Sequence, residues 1–193
     1  SYEAERKPLA QRNTGYARQF ADSIGLFGAG PELDEDSPRG QAARELASRH
    51  LDAHARLEFN IPGVTFGGRY DGSPIIVSDG TAPPPDAANT YVHTACPGGR
   101  PPHAWLADGR SLYDLFHAEW TLLALGATPP STLEFEQAAA QLGLDLRVVH
   151  LPSTALLALY EAPLALIRPD QIVAWRGGVS SVAEAVLSQA SGR

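Results

Sequence analysis

The sequence predicts an α/β protein: a central mixed sheet with helices on both faces, preceded by a helical segment and an irregular connector. Three observations lead there. Short apolar runs, Thr121-Leu-Leu-Ala-Leu125 and Leu164-Ala-Leu-Ile167, suit strands buried on both faces. Capped amphipathic stretches alternate with those runs after residue 103. A stretch dense in Gly and Pro separates this regular half from a helical first third.

Residues 2 to 24 read as one helix. Tyr2, Leu9, Tyr16, Phe20 and Ile24 recur near helical spacing, with charges between them. Pro8 is expected to kink it or to mark a new first turn. A loop rich in Gly, Pro and acid follows from Gly25 to Asp36. Ser37-Pro38 starts a second helix, with Ser as cap and Pro at the first helical position. It runs to about Leu57, with Ala43, Leu46, His50 and Leu51 along one stripe.

From Asn60 to Arg100 periodicity is lost. Pro74 to Val77 and Thr90 to Thr94 are candidate short strands within the connector. After it, His103 to Ala107 reads as a strand, Asp108-Gly109 as a turn, and Ser111 as the cap of a short helix to Phe116. Trp120 to Leu125 is a strand, and Ser131-Thr132 caps a helix to Leu142 that Gly143 stops. Leu144 to Leu151 is a strand, Ser153 to Tyr160 a helical turn. Leu164 to Arg168 and Ile172 to Arg176 are strands joined by Pro169-Asp170-Gln171. The last helix is Val182 to Gln189. A βαβ unit, then a helix, a hairpin and a terminal helix is the layout of a thioredoxin-like fold, with its parallel crossover right-handed. The expected division is 1–59 helical, 60–89 connector and 90–193 thioredoxin-like.

Composition limits function. The net charge of −7 argues against a nucleic-acid partner, because a phosphate backbone is bound by a basic surface. No apolar run reaches the roughly 18 residues that span a bilayer, so no membrane partner is expected. Cys96 is the only cysteine, so no internal disulfide can form, which fits the cytoplasm. The chain lacks Met and opens in a helical pattern at Ser1, which leads us to expect a truncation or a cleavage there.

Catalytic chemistry finds little support. Redox thioredoxins carry paired thiols after the strand that Trp120 to Leu125 represents. Ala127-Thr128-Pro129-Pro130-Ser131 stands there, so disulfide exchange is excluded. His50 and His54 have a spacing that can hold a metal, but no third ligand is evident, and a structural role is favoured. His103 is expected to bond a backbone carbonyl and fix the Pro/Gly elbow at residues 97–102. Gly67-Gly68 and Gly98-Gly99 are not followed by the helix start of a phosphate site. Arg69, Arg100 and Arg110 are read first as salt-bridge formers. Trp105, Trp120 and Trp175 are read as core or interface anchors. The block from Pro97 to Phe116 shows no nucleophile–base pair.

Three blocks in order carry a resemblance: SYEAERKPLAQRNTGYA at the start, GGRYDGSPIIVSDG in the connector, and PGGRPPHAWLADGRSLYDLF with WTLLALG and LYEAPLALIRPDQIVAWRG after it. Together they resemble the C-terminal region of FAD-dependent aromatic-ring hydroxylases, the class A, phenol-hydroxylase-like flavoprotein monooxygenases. The resemblance implies a thioredoxin-like C-terminal domain without redox cysteines, and a parent enzyme that uses FAD and NAD(P)H to hydroxylate a phenolic ring. Residues 1–59 would then end a flavin/substrate domain. The flavin-binding motifs of that family lie upstream of this region and are absent here. No catalytic, cofactor-binding or metal-binding residue is therefore assigned. The expected partners are the N-terminal flavin-binding domain of the parent and further copies in a homo-oligomer, with no cofactor bound to this chain alone. The alternative is a free-standing, non-redox interaction or oligomerisation module. A third reading, a small enzyme of unrelated chemistry, would need a polar pocket around His93, His103 and Arg100. The helices of residues 2–57 are expected to expose apolar surface.

Overall fold

The computed structural model describes residues 1–193. The chain divides into two compact units, interleaved in sequence. The first comprises Ser1–Lys7, Gly68–Pro85 and Val92–Arg193; the second comprises Pro8–Gly67 and Asp86–Tyr91.

The first unit is built on four strands: β1 (Trp120–Leu125), β2 (Leu146–Leu151), β3 (Leu164–Ile167) and β4 (Val173–Gly177). Their order across the sheet is β2-β1-β3-β4. β2 runs parallel to β1, whereas β3 is antiparallel to both β1 and β4. Every residue of β1 and β3 is buried. Continuous apolar runs were the reason to place them centrally, and both faces of the sheet are covered.

One face carries the helices Leu133–Leu142 and Ala183–Ser191. Phe135, Ala138 and Ala139 of the former pack with Ala183, Val186, Leu187 and Ala190 of the latter over Leu122, Leu164 and Leu166. Alanines at this seam let the two helices approach closely. Phe135 lies 5.3 Å from Trp175, ring to ring. Gly143 ends the first of these helices at φ 63°, a left-handed stop that costs glycine little. The opposite face carries the helix Thr154–Tyr160, capped by Ser153, together with Leu112, Leu115 and Ala95 from irregular segments.

The element order after Trp120 follows the sequence reading. Three proposed strands do not form. His103–Ala107 is reduced to one bridge between Trp105 and Ser111. The elbow beside it is proline-rich and cannot supply a ladder of N–H donors. Pro74–Val77 and Thr90–Thr94 are irregular. The Val77 N–H still donates to the Ala174 carbonyl at 2.9 Å. The segment after Ser111 is a four-residue 3-10 helix, Leu112–Leu115, with a full capping box between Ser111 and Asp114.

The second unit holds the longer helices. α1 (Tyr2–Gly25) begins in the first unit and continues through Pro8 into the second; α2 is Pro38–Phe59 and α3 is Pro62–Phe66. Ser37 caps α2 by accepting from the Gly40 N–H, and Pro38 occupies its first position. Arg12 binds Asp86 at 2.7 Å and the Gly63 carbonyl at 2.8 Å. Asn89 donates to the Asn60 carbonyl at 2.5 Å, closing the end of α2. Ala88 is the only apolar residue of this unit that is buried. Leu26, Leu46 and Phe59 are exposed. The stripes read from the sequence exist, but within this unit they reach half-burial at most.

Candidate functional site

Three arginines organise the polar structure of the sheet unit, and each secures an irregular segment. Arg168, just after β3, makes a bidentate pair with Glu5: Nη1 to Oε1 at 2.6 Å and Nη2 to Oε2 at 3.0 Å. It also grips Asp170 through Nε and Nη2, both at 3.0 Å. Glu5 is 4% exposed and accepts a further bond from the Ser73 hydroxyl at 2.7 Å. Tyr70 lies between the guanidinium groups of Arg6 and Arg168, 5.4 and 5.2 Å from its ring centre. Burial alone would raise the Glu5 carboxyl, but hydrogen bonds from Arg168 and Ser73 outweigh it and hold its pKa below the ordinary carboxylate value.

Arg176 on β4 is 5% exposed. It donates to Asp79 at 2.6 Å, Thr81 Oγ1 at 3.0 Å, the Tyr160 carbonyl at 3.0 Å and Glu161 at 2.7 Å. The connector around Asp79 is thereby tied to the sheet. Asp79 follows the same balance: burial opposes ionisation, and Arg176 and Thr81 bring the pKa below normal.

Arg69 holds the Pro/Gly elbow. Its Nη2 donates to the Pro97 carbonyl at 2.7 Å, while Nε spans both Asp71 oxygens at 2.9 and 3.0 Å. A Cβ on Gly99 would fall 2.2 Å from Arg69 Nη1, and Gly98 sits at φ 92°. The Gly98 N–H donates to the Val173 carbonyl, and the Val173 N–H returns a bond to Gly99. The elbow glycines therefore serve close packing against β4.

Those same contacts decide whether a flavin could be held here. A pyrophosphate needs free N–H groups at an open, glycine-lined cradle. The Gly98 N–H is spent on β4, and Arg69 fills the space beside Gly99. The Gly98–Gly99 elbow therefore offers no such cradle.

The other residues singled out by sequence fall into local roles. His103 does not bond a backbone carbonyl: its Nε2 lies 2.9 Å from the Ser111 hydroxyl. This is a nucleophile–base pair that the sequence reading did not find. The Ser111 oxygen is already committed, accepting the Tyr113 N–H at 3.1 Å as a helix cap. The S-x-x-D capping pattern at Ser111 and Asp114 was the signal available for it. Arg100 stacks over Tyr113 at 4.7 Å and donates to its hydroxyl at 3.1 Å. Arg110 pairs with Asp108 at 2.7 Å. His93 is exposed.

In the helical unit, His50 contacts the Ser23 carbonyl at 3.1 Å, and His54 pairs with Glu58 at 2.7 Å. No group of three ligand-type side chains converges anywhere in the chain. Cys96 is buried and unpaired, with the Arg69 Nη2 at 3.3 Å from its sulfur. Trp120 and Trp175 are core residues, whereas Trp105 is 74% exposed. Glu5, Asp79, Arg168 and Arg176, the most engaged polar residues, were not singled out by sequence. Glu5 and Arg168 stand 163 positions apart, so no local spacing could link them. No helix is long and apolar enough to cross a membrane.

A four-stranded mixed sheet, covered on both faces and bound by arginines to its flanking segments, defines an α/β domain built to hold backbone in place. Residues 94–193 match the family model described as aromatic-ring hydroxylase, C-terminal, and the chain belongs to that family. Across its full length it is 30% identical to the FAD-dependent monooxygenase opdD of Penicillium oxalicum, of which it spans 39%. It is 29% identical, over 91% of the chain, to phenol 2-monooxygenase of a Pseudomonas species, spanning 34% of that protein. Among solved structures, the rebeccamycin biosynthetic enzyme RebC with reduced flavin is similar over 99% of this chain and 36% of its own, with 32% identity and a TM-score of 0.87. The flavin-dependent monooxygenase PieE in complex with FAD and substrate is similar over 99% of this chain and 38% of its own, with 25% identity and a TM-score of 0.74. The chain thus spans 34 to 39% of the length of these relatives.

Proposed function

We propose that this chain is the C-terminal part of an FAD- and NAD(P)H-dependent monooxygenase that hydroxylates a phenolic or other aromatic ring in the cytoplasm. Its own role is structural: it covers the flavin-binding part of the parent and supplies contacts between subunits in a homo-oligomer. Residues 1–59 end the flavin/substrate domain, residues 60–89 connect, and residues 90–193 form the thioredoxin-like domain without paired thiols. The flavin, the nicotinamide and the aromatic substrate are all held upstream.

One observation carries this reading. Arg69, Arg176 and the elbow glycines are consumed in securing the connector and the elbow, as the Arg69–Pro97 and Gly98–Val173 contacts illustrate. The exposed apolar faces of α1 and α2 supply a surface for the parent's larger part. Nothing favours the free-standing module over this reading.

The test mixes the purified chain with FAD, NADH or NADPH and phenol. The expected result is no flavin carried through gel filtration and no nicotinamide oxidation. Stoichiometric FAD retention would overturn the assignment. In the longer protein, flavin reduction and phenol hydroxylation are expected together.

A further inference from the structure

The two edges of the sheet are treated differently. β4 is strapped by the elbow and the connector, through Gly98, Gly99 and Val77. β2, at the other end of the sheet order, has no strand paired along its outer edge.

The register shows which groups of β2 are free. The Trp120 N–H donates to the Asp145 carbonyl, and the Gly126 N–H donates to the Leu151 carbonyl. With Trp120 opposite Leu146 in a parallel pair, Asp145, Arg147, Val149 and Leu151 turn their backbone groups toward β1. Leu146, Val148 and His150 turn theirs outward. None of those outward N–H or C=O groups has a hydrogen-bond partner in the chain.

The free set has an end on each side. Leu144 is the preceding outward position, and its N–H is spent on the Ala139 carbonyl at 2.8 Å. Pro152 is the following one, and proline has no N–H. The available donors are therefore symmetric about Val148.

We propose that β2 pairs antiparallel with β2 of a second copy of this chain, about a two-fold axis through Val148 and normal to the sheet. This deepens the reading of the chain as a source of subunit contacts and rests on it. In this register Val148 faces Val148 of the second copy, and Leu146 faces His150 of the second copy. Each of these pairs is a doubly hydrogen-bonded one, so every outward group of the strand finds a partner. An axis centred on His150 would bring Pro152 into the ladder, and one centred on Leu146 would leave His150 unmatched. The contact is isologous and closes as a dimer.

Apolar surface supports the same occupant. Leu146 and Val148 lie partly exposed at the rim of one face, packed against the Phe135 and Leu187 core. Val149 and Leu151 lie partly exposed at the rim of the other. Extending the sheet covers both rims at once. The strand carries no proline or bulge within Leu146–Leu151 to deter pairing.

Sedimentation of the full chain, from about 1 to about 500 μM, should show a monomer–dimer equilibrium. Amide exchange should show the Leu146, Val148 and His150 N–H groups protected only at the high end. Val148→Pro removes the central outward donor at a position where an edge strand tolerates proline. It should weaken the dimer at least about tenfold with circular dichroism unchanged. If that variant fails to fold, the wild-type exchange data still decide. A monomer at every concentration would overturn the proposal. So would a dimer in which these amides stay unprotected while α1 and α2 become protected; that result keeps the subunit-contact reading and removes β2 from it. Concentration-independent protection, from another part of a longer chain lying on β2, would also overturn it.

Discussion

Glu5 and Arg168 form a bidentate ion pair across 163 positions of sequence, with both side chains at least nine-tenths buried. The pair fixes the first turn of α1 to the end of β3. Removing one member leaves an uncompensated buried charge, which costs far more than the intact pair contributes. Glu5→Gln should therefore destabilise the sheet unit by about 3 kcal/mol in urea unfolding. A loss within experimental error of zero would show that the pair is dispensable.

Acid should act through the same groups. Glu5 and Asp79 have folded-state pKa values below their ordinary ones. Their stabilisation is fully present above the unfolded carboxylate pKa, about 4, and is lost as pH falls through the lower folded values. The unfolding midpoint should hold steady from neutral pH to about pH 5 and then drop steeply in wild type. In Glu5→Gln the drop should be shallower, because one of the protonating groups is gone.

The elbow makes a separate prediction. Gly98 occupies φ 92° with Asp71 beside it. Gly98→Ala should cost about 1–3 kcal/mol through backbone strain. Arg69→Ala should loosen the same elbow by leaving the Pro97 carbonyl unpaired, seen as faster amide exchange at Gly98 and Gly99.

Surface substitutions on the helical unit should behave in the opposite way. Leu46 is 63% exposed and Leu26 is 80% exposed. Leu46→Glu and Leu26→Glu should change stability by no more than about 0.5 kcal/mol. Both should lower binding of a hydrophobic dye.

Cys96 should be chemically silent in the folded state. It is 3% exposed and has no partner thiol. Its reaction with an aromatic disulfide reagent should follow unfolding, and the chain should not catalyse insulin reduction. Rapid labelling under native conditions would contradict the burial.

The sheet was legible in sequence because its signals are local. Apolar runs defined Trp120–Leu125 and Leu164–Ile167, and Ser153 and Gly143 punctuated the helices around them. The strands proposed at His103 and Pro74 failed where prolines starve a ladder of donors, and Thr90–Thr94 is irregular. Near Pro74, a single backbone bond from Val77 to Ala174 of β4 replaces pairing. Arg69 was read as a salt-bridge former and pairs with Asp71, but the Glu5–Arg168 and Asp79–Arg176 clamps were not legible, since each joins residues distant in sequence that no spacing rule connects. The stripes of α1 and α2 were read correctly as apolar, but a stripe says nothing about what covers it.

The clamp at Glu5 also sets a schedule for folding. Its partner Arg168 lies in the hairpin, and β4, which the elbow straps, follows it in the chain. During synthesis, the Glu5 carboxylate must wait for the 163 positions up to Arg168 before it is neutralised. Such long-range closure favours slow folding and a late, cooperative final step. Until then Glu5 remains in water, and the first turn of α1 is among the last parts of its unit to be secured.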